Sequence, residues 1–233
     1  MKRIAIVALA ALLALLVICP LAMAGWVVLD KDGQKNLISQ HRIKTVSQSA
    51  EDGWTVMDFK KDQILLVDLE NKAYAIASFD QFCESMQKLA NKIQSMFGKI
   101  QQEKKPAKVE VVKAGSGGKI AGYDTVKYQV MVDCQLQEEV WISPRPEFAK
   151  DLSFDRLAKL MACGAQKDDA EYSGAYQKMM ASGWVMRSVN YEGGQGETDA
   201  HVAEVTEQDI PESEFQVPQG LKKASVEDLI TGM

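Results

Sequence analysis

The sequence predicts an α+β fold: a strongly curved antiparallel sheet, an open half-barrel, with amphipathic helices packed on one side. Three observations carry that expectation. Short β-rich runs joined by short polar turns fill residues 37 to 78. At Phe79 the hydrophobic period changes from two to about 3.6, the change from strand to helix. After Lys104-Lys105-Pro106 the alternation returns.

Taken in order, Lys2 and Arg3 precede an uncharged apolar run from Ile4 to Ile18, and Ala22-Met23-Ala24 presents small residues where a signal peptidase reads. Residues 1–24 are therefore expected to be a cleaved export leader, and 25–233 a single periplasmic domain. The run is shorter than the roughly 20 residues of a membrane-spanning helix, and Pro20 breaks the helical course just before the cleavage motif. Cys19 would be the lipid-bearing residue of a lipoprotein, but the residue before it should then be small and is Ile18.

Trp54 to Phe59, Ile64 to Leu69 and Ala73 to Ser78 read as neighbouring antiparallel strands, because the turns between them are too short for any crossover. Phe79, Phe82, Cys83, Met86, Leu89, Ala90, Ile93, Phe97 and Ile100 then fall on one stripe of a helix from Phe79 to Ile100. Ser78 with Gln81 three residues later forms a capping box at its start. Val109 to Lys113, Ile120 to Val132 and Glu138 to Ser143 read as strands, with Gly115-Ser116-Gly117-Gly118 as a hairpin turn. Two helices follow, Glu147 to Cys163 and Asp168 to Ala181, the second capped by Gly183. Trp184 to Tyr191 and Thr198 to Thr206 are strands, the tail around Pro211 and Pro218 is extended, and Val226 to Ile230 forms a last helix. About nine or ten strands in one sheet tend to curl.

Lys2 and Arg3 are the only charged residues of the leader, so the rest of the chain carries 25 basic and 32 acidic residues, a net charge of -7. That balance argues against nucleic acid and anionic membrane surfaces as partners. No apolar stretch beyond the leader is long enough to cross a bilayer.

Beyond the leader, Cys83, Cys134 and Cys163 allow one disulfide in an oxidising compartment. Geometry favours Cys134 with Cys163: a strand of about nine residues carries the chain roughly 30 Å from Cys134, and a helix of about 17 residues brings it back roughly 25 Å. Cys83 lies on the apolar stripe and reads as a small buried hydrophobe.

Catalytic patterns are scarce. His41 and His201 have no carboxylate or cysteine at metal-ligand spacing, so no metal site is expected. No nucleophile elbow, phosphate loop or dinucleotide fingerprint is present, and no cofactor is expected. Asp58 and Asp68, in adjacent strands, are a candidate carboxylate pair, with turn support as the alternative. Trp54, Tyr74, Phe82, Met86, Phe97, Tyr128 and Trp141 are candidates to line a hydrophobic pocket, against the plain reading that they are core.

Val67-Asp68-Leu69-Glu70-Asn71-Lys72-Ala73-Tyr74, Lys119-Ile120-Ala121-Gly122-Tyr123 with Lys127-Tyr128, Glu138-Glu139-Val140-Trp141-Ile142-Ser143, Ser182-Gly183-Trp184-Val185 and the segment from Ile210 to Gly220 succeed one another along the chain. In these motifs it resembles a family of exported bacterial proteins of unknown function, related to the periplasmic lipoprotein carriers and outer-membrane lipoprotein-sorting proteins of LolA-like fold. The resemblance implies a curved open sheet with helices on its concave side, a shape that holds lipoprotein acyl chains, and no catalytic residue. The expected function is non-catalytic binding of a lipid or a lipoprotein acyl chain. The alternative is a cell-envelope protein-interaction module with a solid core and no ligand.

Overall fold

The structure is a computed structural model that describes residues 22–47, 52–97, 108–165, 169–191 and 194–232. Six strands come first: β1 (Ala22–Asp30), β2 (Lys35–Ser39), β3 (Arg42–Val46), β4 (Gly53–Asp58), β5 (Gln63–Asp68) and β6 (Ala73–Ser78). The helix α1 (Phe79–Phe97) leads to β7 (Val109–Ile120), β8 (Tyr123–Val132) and β9 (Gln135–Ser143). The helices α2 (Phe154–Met161) and α3 (Gly174–Met180) precede β10 (Trp184–Asn190), β11 (Glu197–Pro211), β12 (Lys222–Lys223) and α4 (Val226–Gly232).

Among the described residues twelve strands form one sheet, in the order β12-β6-β5-β4-β3-β2-β1-β11-β10-β9-β8-β7. Every pairing is antiparallel except the short β12, which lies parallel to β6. The chain builds outward from both sides of a central seam, where β1 pairs with β11 from Ala22↔Pro211 to Asp30↔Val202. Two-residue loops close two hairpins: Ala121-Gly122 between β7 and β8, and Asp133-Cys134 between β8 and β9. All four residues have positive φ, as a type I′ turn requires.

The fold is not the expected α+β half-barrel. Strands take up 48 % and helices of all kinds 27 %, and the sheet does not close, so the chain is mostly β with few helices. Two local features account for the difference. The glycines read as a turn lie inside β7, which absorbs them as bulges at Lys113/Gly115 and Ser116/Gly118. Gly117 is required there because Trp141 and Thr125 occupy the space a side chain would take. The two helices expected after Pro146 are broken into short pieces, with 3-10 turns at Glu147–Ala149, Ala162–Gly164 and Ala170–Tyr172. Gly183 is no helix cap; α3 ends at Met180 with Ala181 as its C-cap, and Gly183 lets β10 approach the Ser143 carbonyl.

Both faces of the sheet are apolar. On one, Val28, Ile38, Ile43, Ile64, Leu66, Ala75 and Ala77 pack under α1, α2 and α4. On the opposite face Leu37, Val56, Leu65 and Val67 pack under the tail, which contributes Phe215 from a 3-10 turn at Glu212–Phe215. Arg42 fixes that turn through a bidentate pair with Glu212 (2.6 and 2.8 Å) and a stacked position 4.2 Å from the Phe215 ring.

The capping box of α1 forms as expected: the Gln81 N–H donates to Ser78 Oγ (3.2 Å) and the Ser78 N–H to Gln81 Oε1 (3.0 Å). Its apolar stripe is buried only over the first turns. Residues 91–95 are exposed, Ile93 to 47 %, and Ile100 lies outside the described residues.

The disulfide joins Cys83 to Cys163, with Cα atoms 4.9 Å apart, and Cys134 is free and exposed. The expected Cys134–Cys163 pairing fails because the segment after Pro146 is not one returning helix. It breaks before Ser153, and its last turn ends beside α1, where Gly164 lies against Met86.

Candidate functional site

The space beneath the first turns of α1 is filled: Phe79 and Phe59 meet edge to face at 5.5 Å, and Phe82 and Cys83 pack against the same cluster. A cleft of about 330 Å³ opens beneath α2 and α3 instead, across the seam of the sheet. Its floor comes from both halves, from Asp30, Asn36, Ile43, Thr45 and Met57 on one side and Glu138, Val140, Ser188 and Ala200 on the other. The roof is Leu157, Ala158 and Met161 of α2 with Tyr176 and Met180 of α3.

Several contacts hold the roof. Arg156 donates to the Phe59 carbonyl (2.6 Å) and pairs with Asp62 in the β4–β5 turn. The disulfide fixes the far end of α2 to α1. Ser173 caps α3, accepting from the Tyr176 N–H at 3.1 Å. Trp184, which also lines the cleft, packs edge-on against Phe148 at 5.5 Å.

Strand register sorts the lining by polarity. Ile43 pairs with Met57 and Ile38, giving an apolar row. Two residues along the strands, Thr45 pairs with Asn36 and donates its hydroxyl to Asn36 Oδ1 at 2.8 Å. Asp30, at the end of β1, and Glu138, near the start of β9, lie toward that polar end. The Tyr176 hydroxyl donates to Glu138 Oε2 at 3.0 Å. Burial, together with the charges of Glu171 and Asp199, pushes the Glu138 carboxyl up to about 7, against the pull of the tyrosine hydrogen bond. Burial and the neighbouring Asp32 raise Asp30 as well. Burial and the Glu138 charge raise the Tyr176 phenol, so it stays a donor.

The sequence-predicted lining residues do not come together. Trp54 and Tyr74 lie on the tail-covered face. Trp141 is on the far face of β9, between Lys127 Nζ and Arg187 Cζ, each 4.7 Å from its ring. Phe82 packs under α1, Met86 stands beside Gly164, and Tyr128 packs with Val140 in the cluster below α3. Phe97 belongs to α1, at its last residue. Asp58 and Asp68 support turns, accepting from the N–H groups of Lys60, Lys61 and Asn71. His41 contacts the Asp151 carbonyl at 2.7 Å, and His201 faces Arg187 across β10 and β11.

Sequence reading missed Asp30, Glu138 and Tyr176. A signal for Glu138 was present: in Glu138-Glu139-Val140-Trp141-Ile142 it has the parity of Val140 and Ile142, so an acid was written into an inward row.

Among the described residues, no helix is long and apolar enough to cross a membrane. A family model described as a domain of unknown function (DUF4412) matches residues 31–221. No curated protein matches the chain.

Proposed function

The chain belongs to the DUF4412 family, and on that premise we propose that it is a non-catalytic, exported binding protein that holds one hydrophobic or amphiphilic molecule beneath α2 and α3. The cleft is the observation that carries this reading. Its volume of about 330 Å³ lies near the small end of the range of small-molecule sites, roughly 300–1,000 Å³, and suits one chain rather than several. Most of its wall is carbon, from Ile43, Met57, Val140, Leu157, Met161 and Met180.

Export to the periplasm is part of the proposal and rests on the leader pattern of residues 1–24. The Cys83–Cys163 bridge is of the kind an oxidising compartment allows. Cleavage after Ala24 would leave the β1–β2 pairs from Trp26↔Ile38 to Leu29↔Lys35 in place. The kinship with lipoprotein carriers is likewise proposed, on the order of the shared motifs.

The test uses the mature protein with a neutral dye, phenyl-naphthylamine, whose emission rises in apolar surroundings. Saturable uptake is expected, and Ala200→Trp, which fills the floor of the cleft from β11, should abolish it while the circular dichroism spectrum is kept. Absence of both saturable uptake and any co-purifying lipid would overturn the reading. The filled core under α1 favours one rival, an interaction module without a ligand, and that result would leave it standing.

A further inference from the structure

Resting on the reading of the cleft as a ligand site, we propose that the molecule it takes is a cationic amphiphile. Its ammonium head sits at the polar end of the cleft, beside Glu138 on β9 and in the field of Asp30 on β1, and a single apolar chain runs beneath α2 toward the apolar end of the cleft.

Two observations converge on this chemistry. Among the described residues, charge in the lining has one sign: Asp30 and Glu138 line the cleft and no lysine or arginine does. Among the described residues neither carboxylate forms a salt bridge. A carboxylate next to an apolar wall is costly without a cationic partner.

The surroundings sharpen the mismatch. Asp32 bears on Asp30, and Glu171 and Asp199 bear on Glu138, each adding negative charge. Two cations of the neighbouring strands and turn are engaged elsewhere: Arg187 lies over Trp141 on the opposite face of β10, and Lys31 acts on His201, its neighbour there. An anionic head in the cleft would add a further negative charge to this end. An ammonium group has only donors, and this end offers acceptors. Tyr176 occupies one oxygen of Glu138 and leaves Oε1 for the ligand.

Polarity along the cleft matches an amphiphile. The row Thr45–Asn36 marks the polar end and the row Ile43–Met57 the apolar one, so head and tail have distinct places. Arg156 and the disulfide hold α2 over the tail.

Calorimetry on the mature protein at about pH 8, where Glu138 is charged, would compare decylammonium, decanol and decanoate, which share a chain and differ in head. Decylammonium is expected to bind about tenfold or more tighter than decanoate, with decanol between them. The double variant Asp30→Asn/Glu138→Gln should bring the ratio of decylammonium to decanol affinity to about one. Circular dichroism would establish that the variant folds, and Gln keeps the acceptor for Tyr176. Equal binding of all three probes, tighter binding of decanoate, or an ammonium preference untouched in the variant overturns the inference and leaves the cleft a ligand site. Failure of all three to bind overturns the inference, and the reading of the cleft as a ligand site then stands or falls on the dye uptake. Where decylammonium wins, dispersions of single-chain lysophosphatidylethanolamine against lysophosphatidylglycerol distinguish the source. Transfer of the former assigns the head to a membrane lipid, and its absence to a free amine.

Discussion

Glu138 sits where an acid is expensive, and the expense depends on pH. Its carboxyl is raised from 4.5 to about 7, chiefly by burial, so the folded chain holds this proton more tightly than the unfolded chain does. The stability that comes from its protonation is fully present below about 4.5 and is lost as the pH rises through 7. A shift of this size corresponds to about 3 kcal/mol, and the partial exposure of the group reduces it to about 2. Glu138→Gln, a permanent mimic of the protonated form, should therefore be more stable than the parent by about 2 kcal/mol at pH 8 and equal to it near pH 4. Urea denaturation at the two pH values would measure this, and an equal effect at both would show that burial does not set the titration. That residue was legible in principle, because alternation assigns parity without structure. What alternation cannot supply is which parity faces the cleft. Trp54 and Tyr74 share one face, Phe82 packs under α1 against the other, and Trp141 looks away from α3, so a common lining built on aromatic character alone scattered them.

At the scale of elements, the meander was legible and the helices beyond Pro146 were not. Strands β4 to β6 are joined by turns too short to permit anything but neighbouring pairs, so local chemistry decides them. The segment from Glu147 to Ala181 has apolar residues at helical spacing, but it is bent over a sheet whose position depends on distant strands. That bend moved Cys163 from Cys134 to Cys83. The bridge closes a loop across 80 residues and joins α1 to the end of α2, the roof of the cleft. Restricting a loop of that length in the unfolded chain contributes about 4 kcal/mol. Cys83→Ser/Cys163→Ser should lose up to about 4 kcal/mol in chemical denaturation, and reductant should then have no further effect. A loss no larger than a few tenths would mean that the salt bridge and hydrogen bond of Arg156 already hold α2.

For the whole molecule, the two faces of one sheet have separate covers and, on the proposed function, separate purposes. The helices cover one face and leave a cleft across the β1–β11 seam. The tail seals the other, with Phe215 buried on Leu37, Val56 and Leu65 and locked by Arg42 and Glu212. A single sequence shows both sets of apolar residues but not the strand that divides them. The central position of β1 follows from pairing with β11, a partner at the far end of the chain. If the faces are energetically independent, damage to the sealed face should spare the open one. Phe215→Ala removes a side chain only 7 % exposed, and the cavity plus lost transfer energy should cost about 3 kcal/mol. Mutations without shared contacts add nearly independently, so dye affinity in the cleft should change less than about twofold at a temperature where the variant stays folded. A parallel fall in stability and affinity would instead show that the sheet transmits strain between its faces, and the tail would then be part of what shapes the cleft.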